Sequence, residues 1–295
     1  MISIIITSFK EPKTIRKAIE SFLNQKISEK YELIITAPDK ETLDIAKRYQ
    51  NKNRQIKIFQ DPGKGKSYAI NWLLPKLKGE ILIFTDGDVY VSKNSMQEII
   101  KKFKDKNIGC VSGKPIPQNT KKSIFGYWAH LLCNSVHNIR EKRANMGEFL
   151  ECSGYLWAFR NKIIKKFPLD VGEDTIVPLM FWIKNYKISY SPESKVYVKF
   201  PSNLNDFLQQ KTRAAAAHDN IHKYFNLKKI PRMKTFTNEI LLSYKIFAYA
   251  NSLKELVWIF LLFPIRLYIW ANLFYNSKFR NRKYTDAWKI VKSTK

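Results

Sequence analysis

Asp86-Gly87-Asp88 ends the run GEILIFTDGD, residues 79–88. Two carboxylates one residue apart at the tip of a buried hydrophobic strand converge on a point just outside a sheet. That suits a hard divalent cation, which takes oxygen ligands and keeps positions open for phosphate oxygens. Such a metal neutralises charge on a departing diphosphate. The competing reading is a plain strand-ending turn, where Asp-Gly is common.

Glu173-Asp174 opens a helix expected to begin near Thr175. A carboxylate there is either an ordinary cap, favoured by the helix dipole, or a general base for an acceptor hydroxyl. Gln210 and Arg213 fall three apart on a helix expected over 204–224, so they share a face and could reach a diphosphate together. His218 and His222 sit four apart on the same expected helix. No further ligand pattern accompanies them, so packing or surface roles are favoured over a metal site.

Gly63-Lys64-Gly65-Lys66-Ser67 lies between an expected strand and an expected helix. Its backbone N–H groups and Lys66 could meet phosphate, and a basic surface loop is the plain alternative. A strict P-loop of a nucleotide hydrolase fails, because Gln60 stands where that pattern needs glycine.

These residues need a scaffold, and the first ninety positions supply one. The runs 2–7, 32–36 and 56–59 read as strands and 79–88 as a strand running into an acidic turn, with helical stretches between them. Alternation of this kind implies an α/β fold with a mostly parallel central sheet flanked by helices, and ligands bind such sheets at the carboxyl ends of the strands. Further on, CVSGKPIP (110–117) has no assigned element, 152–159 reads as a strand, 123–145 as a long helix, and KISYS and KVYVKF as two short strands.

The chain has 295 residues, is 45% hydrophobic and carries a net charge of +27. The length allows a substantial core. The charge draws polyanions such as phosphorylated substrates, anionic lipid or nucleic acid. Nucleic acid is disfavoured, because the aromatic residues fall on apolar helical faces or beside the acidic motifs rather than among the lysines. Cys110, Cys133 and Cys152 are odd in number and form no CxxC, so reduced, partly buried thiols are expected. Met1 leads straight into a strand-like run without a signal peptide, so a cytoplasmic catalytic part is expected.

Taken in order, the motifs resemble the family 2 glycosyltransferases, inverting enzymes with a GT-A (Rossmann-like) fold. ISIIITSFKEPKTIRKAIESFLNQ, ELIITAPDKETLDIAKRY, GKGKSYAINWLL, IFTDGD, SGYLWAFRN, GEDT and QQKTR carry the likeness over roughly residues 1–215. The resemblance implies Mg2+ or Mn2+ on Asp88 and Asp86, and Asp174 as the base that deprotonates an acceptor hydroxyl. It implies that Thr7, Glu11, Asp39, Lys66, Asp86, Gln210 and Arg213 hold the nucleotide sugar, and that Gly154, Tyr155 and Glu173 meet the acceptor. It further implies a donor-binding half over 1–89 and an acceptor-binding half over 90–230. There are two departures from the pattern. Thr36-Ala37-Pro38 stands where many relatives carry an aspartate, and Ala214 replaces the tryptophan of Q-x-x-R-W. The second departure weakens the case for processive polymer synthesis.

Residues 231–295 turn apolar and aromatic and end in a basic tail holding Lys278, Arg280, Arg282, Lys283, Lys289, Lys292 and Lys295. The run 256–275 is about long enough to span a bilayer, but it contains Pro264 and Arg266. Ile240, Leu241, Tyr244, Phe247 and Ala248 read as one helical stripe. Helices lying in the interface, with lysines and arginines on anionic lipid, are therefore expected. The combined expectation is a peripheral or monotopic transferase on the cytoplasmic face of the membrane, acting on a lipid-linked or glycan acceptor. Polyprenyl-phosphate glycosylation is the nearest alternative.

Overall fold

A computed structural model describes residues 1–233, 235–279 and 291–294. Eight strands form one sheet: β1 (Ile2–Thr7), β2 (Tyr31–Ala37), β3 (Ile56–Gln60), β4 (Ile81–Asp86), β5 (Tyr90–Val91), β6 (Ile108–Pro117), β7 (Leu156–Arg160) and β8 (Lys187–Val198). Their order is β3-β2-β1-β4-β7-β6-β8-β5. The β3-β2-β1-β4 portion is wholly parallel. β7 runs antiparallel to both its neighbours, β4 and β6, while β6 and β8 are parallel.

The helices are α1 (Ile15–Leu23), α2 (Lys40–Gln50), α3 (Lys66–Leu73), α4 (Ser95–Lys102), α5 (Ile124–Asn145), α6 (Glu173–Ile183), α7 (Leu204–Ala216), α8 (Phe236–Leu242) and α9 (Leu253–Phe279). Strand alternation divides the core between the two faces of the sheet. Ile2, Ile4 and Ile6 of β1 pack with Ile15, Ala18, Ile19 and Phe22 of α1. Ile5 packs on the other face with Ile70 and Leu73 of α3 and Phe84 of β4. Phe84 stacks on Trp157 and on Phe159, with ring centroids 5.2 Å apart in each case.

The expected architecture is present, with local differences that have physical causes. KISYS and KVYVKF form the single strand β8, because Ser191 and Ser194 turn inward and bond each other at 2.7 Å rather than opening a loop. The chain beyond Arg213 does not remain α-helical to Tyr224: α7 ends at Ala216, and Ala217 O accepts the N–H of Gly172 at 3.0 Å. A 3-10 segment, Asp219–Lys223, follows, so His218 and His222 do not share one α-helical face. α6 begins at Glu173 itself, with Gly172 as its N-cap. Cys110 and Cys152 are buried and Cys133 partly so; all three are free thiols. Burial pushes the Cys133 thiol up to about 11.

A third apolar cluster joins Trp128 and Leu131 of α5, Phe207 of α7, and Ile259 and Leu262 of α9. Trp128 Nε1 donates to Trp258 O at 2.7 Å. The N-terminal half of α9 is therefore seated on α5 and α7. The 23 residues Leu253–Tyr275 have a mean hydropathy of 1.7, yet only 22% of that window is buried. Val257, Phe260, Leu261, Leu267 and Phe274 stay exposed. Arg266 is accounted for internally: its Nε and Nη2 donate to Glu239 at 2.5 and 2.7 Å, and Trp270 Nε1 donates to the same carboxylate at 2.9 Å. The stripe expected from Ile240 to Ala248 divides, because α8 tightens into 3-10 geometry at Ser243–Tyr249. Ile240, Leu241 and Tyr244 remain exposed, whereas Phe247 turns inward and stacks on Phe263 at 5.7 Å. Of the basic tail, Arg280, Arg282, Lys283, Lys289 and Lys295 lie outside the described residues, and the side chains of Lys278 and Lys292 are not described.

Candidate active site

The parallel portion of the sheet fixes where a site can form. From β1 the chain moves to β2 and β3 on one side, then crosses to β4 on the other, so β1 and β4 flank a topological switch point. The crevice outside their carboxyl ends is where such sheets bind ligands. Thr7 and Asp86 face each other there in register. Thr7 Oγ1 donates to Thr85 O at 3.1 Å and to Asp86 Oδ1 at 3.3 Å. Gly87 sits against Ser8 and Glu11, where an added Cβ would lie 2.4 Å from Ser8 Oγ and 2.6 Å from Glu11 Oε2. Only glycine fits between the two aspartates without displacing that pair.

The cleft beginning at this crevice has a volume of about 1030 Å³. Thr7, Glu11, Lys66, Asp86, Asp88, Gly154, Tyr155, Glu173, Asp174, Gln210 and Arg213 all line it. Residues far apart in sequence thus meet in one space, and Asp39 alone among the expected set does not. Its carboxylate caps α2, accepting from Thr42 N at 3.0 Å and from Lys10 N at 2.7 Å. Burial opposes its charge, but these hydrogen bonds hold it below the ordinary aspartate range.

Lys66 organises the floor of the cleft. Its Nζ lies 2.6 Å from Asp86 Oδ1 and 3.2 Å from Glu173 Oε1, and donates to Gly154 O at 3.0 Å. Burial disfavours its charge, yet Asp86 and Glu173 outweigh that cost and keep the ammonium protonated. Lys66 is therefore turned into an acidic cluster, unlike a phosphate-cradling P-loop lysine. Glu173 also accepts from Ser67 Oγ at 3.3 Å and is buried, so its carboxylate braces α3 against α6. Asp174 differs. Its Oδ2 accepts the N–H of Gly154 at 2.9 Å, and its backbone oxygen accepts from Cys152 N at 3.1 Å. Asp174 stands on the first turn of α6 at the cleft wall.

Thr85 Oγ1 donates to Tyr155 O at 2.8 Å, and Gln210 Nε2 reaches the Tyr155 hydroxyl at 3.4 Å. Burial raises the Tyr155 phenol well above its ordinary range, and Asp88 adds to the shift, so the hydroxyl stays protonated. Among the described residues no three His, Cys, Asp or Glu side chains gather as a closed metal cluster. Asp86 and Asp88 offer an all-oxygen donor pair at an accessible edge. That fits a divalent cation whose remaining positions go to phosphate and water.

Two buried groups, one lining the cleft and one beside β2, escape sequence reasoning. His218 Nε2 lies 3.0 Å from Glu151 Oε2 and 3.4 Å from Thr175 Oγ1. All three side chains are buried, and they tie the end of α7 to the start of α6. The 67 positions between His218 and Glu151 conceal the pair. Asp61 is buried beside β2, accepting from Thr36 Oγ1 at 3.1 Å and Gly63 N at 2.9 Å. Burial raises its pKa. The Asp-Pro-Gly that carries it reads as a turn.

Known proteins share both pattern and architecture. Residues 3–167 match Glycosyl transferase family 2. Hyaluronan synthase of Streptococcus pyogenes is 20% identical over 240 residues, covering 72% of this chain and 55% of that protein. An N-acetylglucosaminyltransferase of Bradyrhizobium diazoefficiens is 22% identical over 237 residues, 72% of this chain and 48% of its own. The chain thus spans about half the length of these curated relatives. Among solved structures, the mannosyltransferase PcManGT from Pyrobaculum calidifontis, in complex with GDP-Man and Mn2+, matches with a TM-score of 0.66 and 16% identity. That match covers 94% of this chain and 87% of the other. S. aureus TarS 1-349 in complex with UDP-GlcNAc matches at a TM-score of 0.51 and 17% identity, over 88% of this chain and 78% of that one. Pattern and architecture agree, and the chain belongs to glycosyl transferase family 2.

Proposed function

We propose that this transferase moves a hexose from a nucleoside-diphosphate donor to a hydroxyl of a membrane- or lipid-linked acceptor, inverting the anomeric configuration. The observation that carries the reading is one cleft holding Asp86 and Asp88 at the end of β4 and Asp174 on the first turn of α6. Residues 1–89 form the donor half, 90–230 the acceptor half, and 231–295 the membrane-associating part. A divalent cation, Mg2+ or Mn2+, held by Asp88 with Asp86, supplies charge neutralisation for the departing diphosphate. The Mn2+ named with the Pyrobaculum neighbour supports this.

Asp174 takes the acceptor's hydroxyl proton as the acceptor oxygen bonds to the anomeric carbon. The bond from that carbon to the diphosphate breaks, and the nucleoside diphosphate leaves with the electron pair. Arg213 and Gln210, side by side on α7, steady the diphosphate or the acceptor. Lys66 holds Asp86 and Glu173 in place. The exposed apolar face of α9 rests in the interfacial layer of the membrane on its cytoplasmic side, which brings the cleft to an acceptor anchored there.

The test is a calorimetric titration with a panel of GDP-, UDP- and dTDP-sugars, with and without Mn2+. One donor should bind in a metal-dependent way, and Asp88→Ala should abolish the metal dependence. Absence of binding by every donor, alongside tight ATP binding, would overturn the reading.

A further inference from the structure

The lining of the cleft is divided by charge. Around β1, α3, β4 and α6 it includes Glu11, Asp86, Asp88, Glu173 and Asp174, with Lys66 set among them. The wall built from α5, the end of β8 and α7 contributes Arg140, Lys199, Lys211 and Arg213 and, among the described residues, no carboxylate.

Arg140 is the unusual member of this basic wall. It is only 4% exposed, and burying a cation without a counter-charge is costly. Among the described residues Arg140 forms no ion pair, and the Glu151 carboxylate turns to His218 Nε2 at 3.0 Å instead. The guanidinium is held by backbone carbonyls: Nε donates to Glu151 O at 2.9 Å and Nη2 to Cys152 O at 2.8 Å. Those two bonds fix its plane against the segment leading into Gly154, whose N–H holds the Asp174 carboxylate. Nη1 is left over. It makes no hydrogen bond among the described residues, yet it keeps accessible surface, on a side chain that lines the cleft. Lys211 stands close by. Its Nζ lies 5.6 Å from the ring centroid of Phe200, itself part of the lining, and 5.6 Å from that of Phe207. Cys133 senses both cations: burial pushes its thiol up, while Lys211 and Arg140 oppose the shift.

We propose that the acceptor is an anionic sugar, with a carboxylate or phosphate on the unit that receives the transfer, and that Arg140 binds this anion with Lys211 beside it. This rests on the transferase reading above and adds the acceptor's charge to it. The metal side already neutralises the donor's diphosphate, so a second anion-binding wall next to Asp174 serves the other substrate. Carboxylate and phosphate share the recognition, an anionic oxygen accepting from the guanidinium. Repulsion by Asp86, Asp88 and Glu173 leaves such an acceptor one way round, its anion at α5 and a hydroxyl toward Asp174.

The test uses the full chain with Mn2+ and, at saturation, the nucleoside diphosphate of whichever donor binds in the titration above. The probes are methyl glucoside, methyl glucuronide and glucose 6-phosphate at constant ionic strength, with inorganic phosphate as the free anion. One charged sugar should bind at least about tenfold more tightly than methyl glucoside, and which of the two does so separates carboxylate from phosphate. Arg140→Gln should bring that preference within about twofold of none. Lys211→Gln, at a half-buried position, should reduce it at least about threefold and keeps the test open should loss of Arg140 disturb folding. Equal affinity for all three sugars would overturn the proposal. So would inorganic phosphate binding as tightly as the preferred sugar, or a preference unchanged in both variants, which would mean general attraction to a chain of net charge +27. Donor binding without any preference for charged sugars removes only the anionic acceptor. Absent donor binding removes the transferase reading beneath it.

Discussion

The strands β1 to β4 and the helix α9 are comparably apolar in sequence, yet they treat that property in opposite ways. Ile4, Ile5, Ile6, Ile83 and Phe84 are 0% exposed, satisfied by helices on both faces of the sheet. α9 buries Ile259, Leu262, Ile269 and Leu273 but leaves Val257, Phe260, Leu261, Leu267 and Phe274 open. Scattered exposed hydrophobes are ordinary on soluble proteins, but a contiguous apolar face marks an interaction surface. The first region uses its hydrophobicity to fold; the second leaves part of it exposed, the face proposed above to meet a membrane.

The sharpest way to separate donor capture from acceptor activation is Asp174→Asn. Turnover should fall by about 10²–10⁴-fold, while the donor Kd by calorimetry stays within about twofold of wild type. A parallel loss of donor affinity would show that the two functions are not divided between β4 and α6.

Next in size is a pair of truncations. Ile5→Ala removes methyl groups from a closed core and should cost about 2–5 kcal/mol in urea unfolding. Leu261→Ala, at a 48% exposed position, should stay within about 0.5 kcal/mol. Equal costs would erase the contrast between the two regions. Val257→Glu and Leu261→Glu together should leave Tm nearly unchanged and weaken binding to anionic vesicles at least about tenfold in sedimentation. Unchanged vesicle binding would remove the membrane role of this face.

Smaller effects lie within residues 1–89. Asp39→Ala deletes the cap of α2 and should lower stability by about 1 kcal/mol. A donor Kd raised more than about threefold would place its carboxylate on the nucleoside as well. Glu32 is buried, which opposes its charge, but Lys57, Ser3 and the Lys78 N–H hold its pKa below the ordinary range. A depressed carboxylate pKa adds stability that is complete above the unfolded value, about 4.3, and is lost as pH falls through the folded one. Wild type should therefore lose more stability than Glu32→Gln on acidification below about pH 4.

The scaffold of β1 to β4 was legible because its signals are local. Uninterrupted runs such as ISIIIT and ILIFTD announce parallel strands buried on both faces, and Asp86-Gly87-Asp88 sits where one of them ends. The cleft's membership was legible through motif order, since Lys66, Gly154, Asp174 and Arg213 meet only after folding. What stayed hidden depends on pairs distant in sequence. Arg266 looks anomalous in an apolar run until Glu239, 27 residues earlier, is seen to hold it. Likewise His218 reads as half of a His-x-x-x-His pattern, while its partner is Glu151. The division of 236–249 into an α turn and a 3-10 segment follows from how Phe247 packs on Phe263, which no periodicity encodes.

The antiparallel strand β7 has a mechanical consequence. It pairs with β4 along one edge and β6 along the other, so it is a seam stitched into both sides of the cleft. Swinging those sides apart would tear one of its ladders. Many enzymes that join two substrates open and shut like a jaw; here the frame behaves as a fixed vice. What borders the opening, chiefly α8 and the 3-10 segment after it, lies outside those ladders.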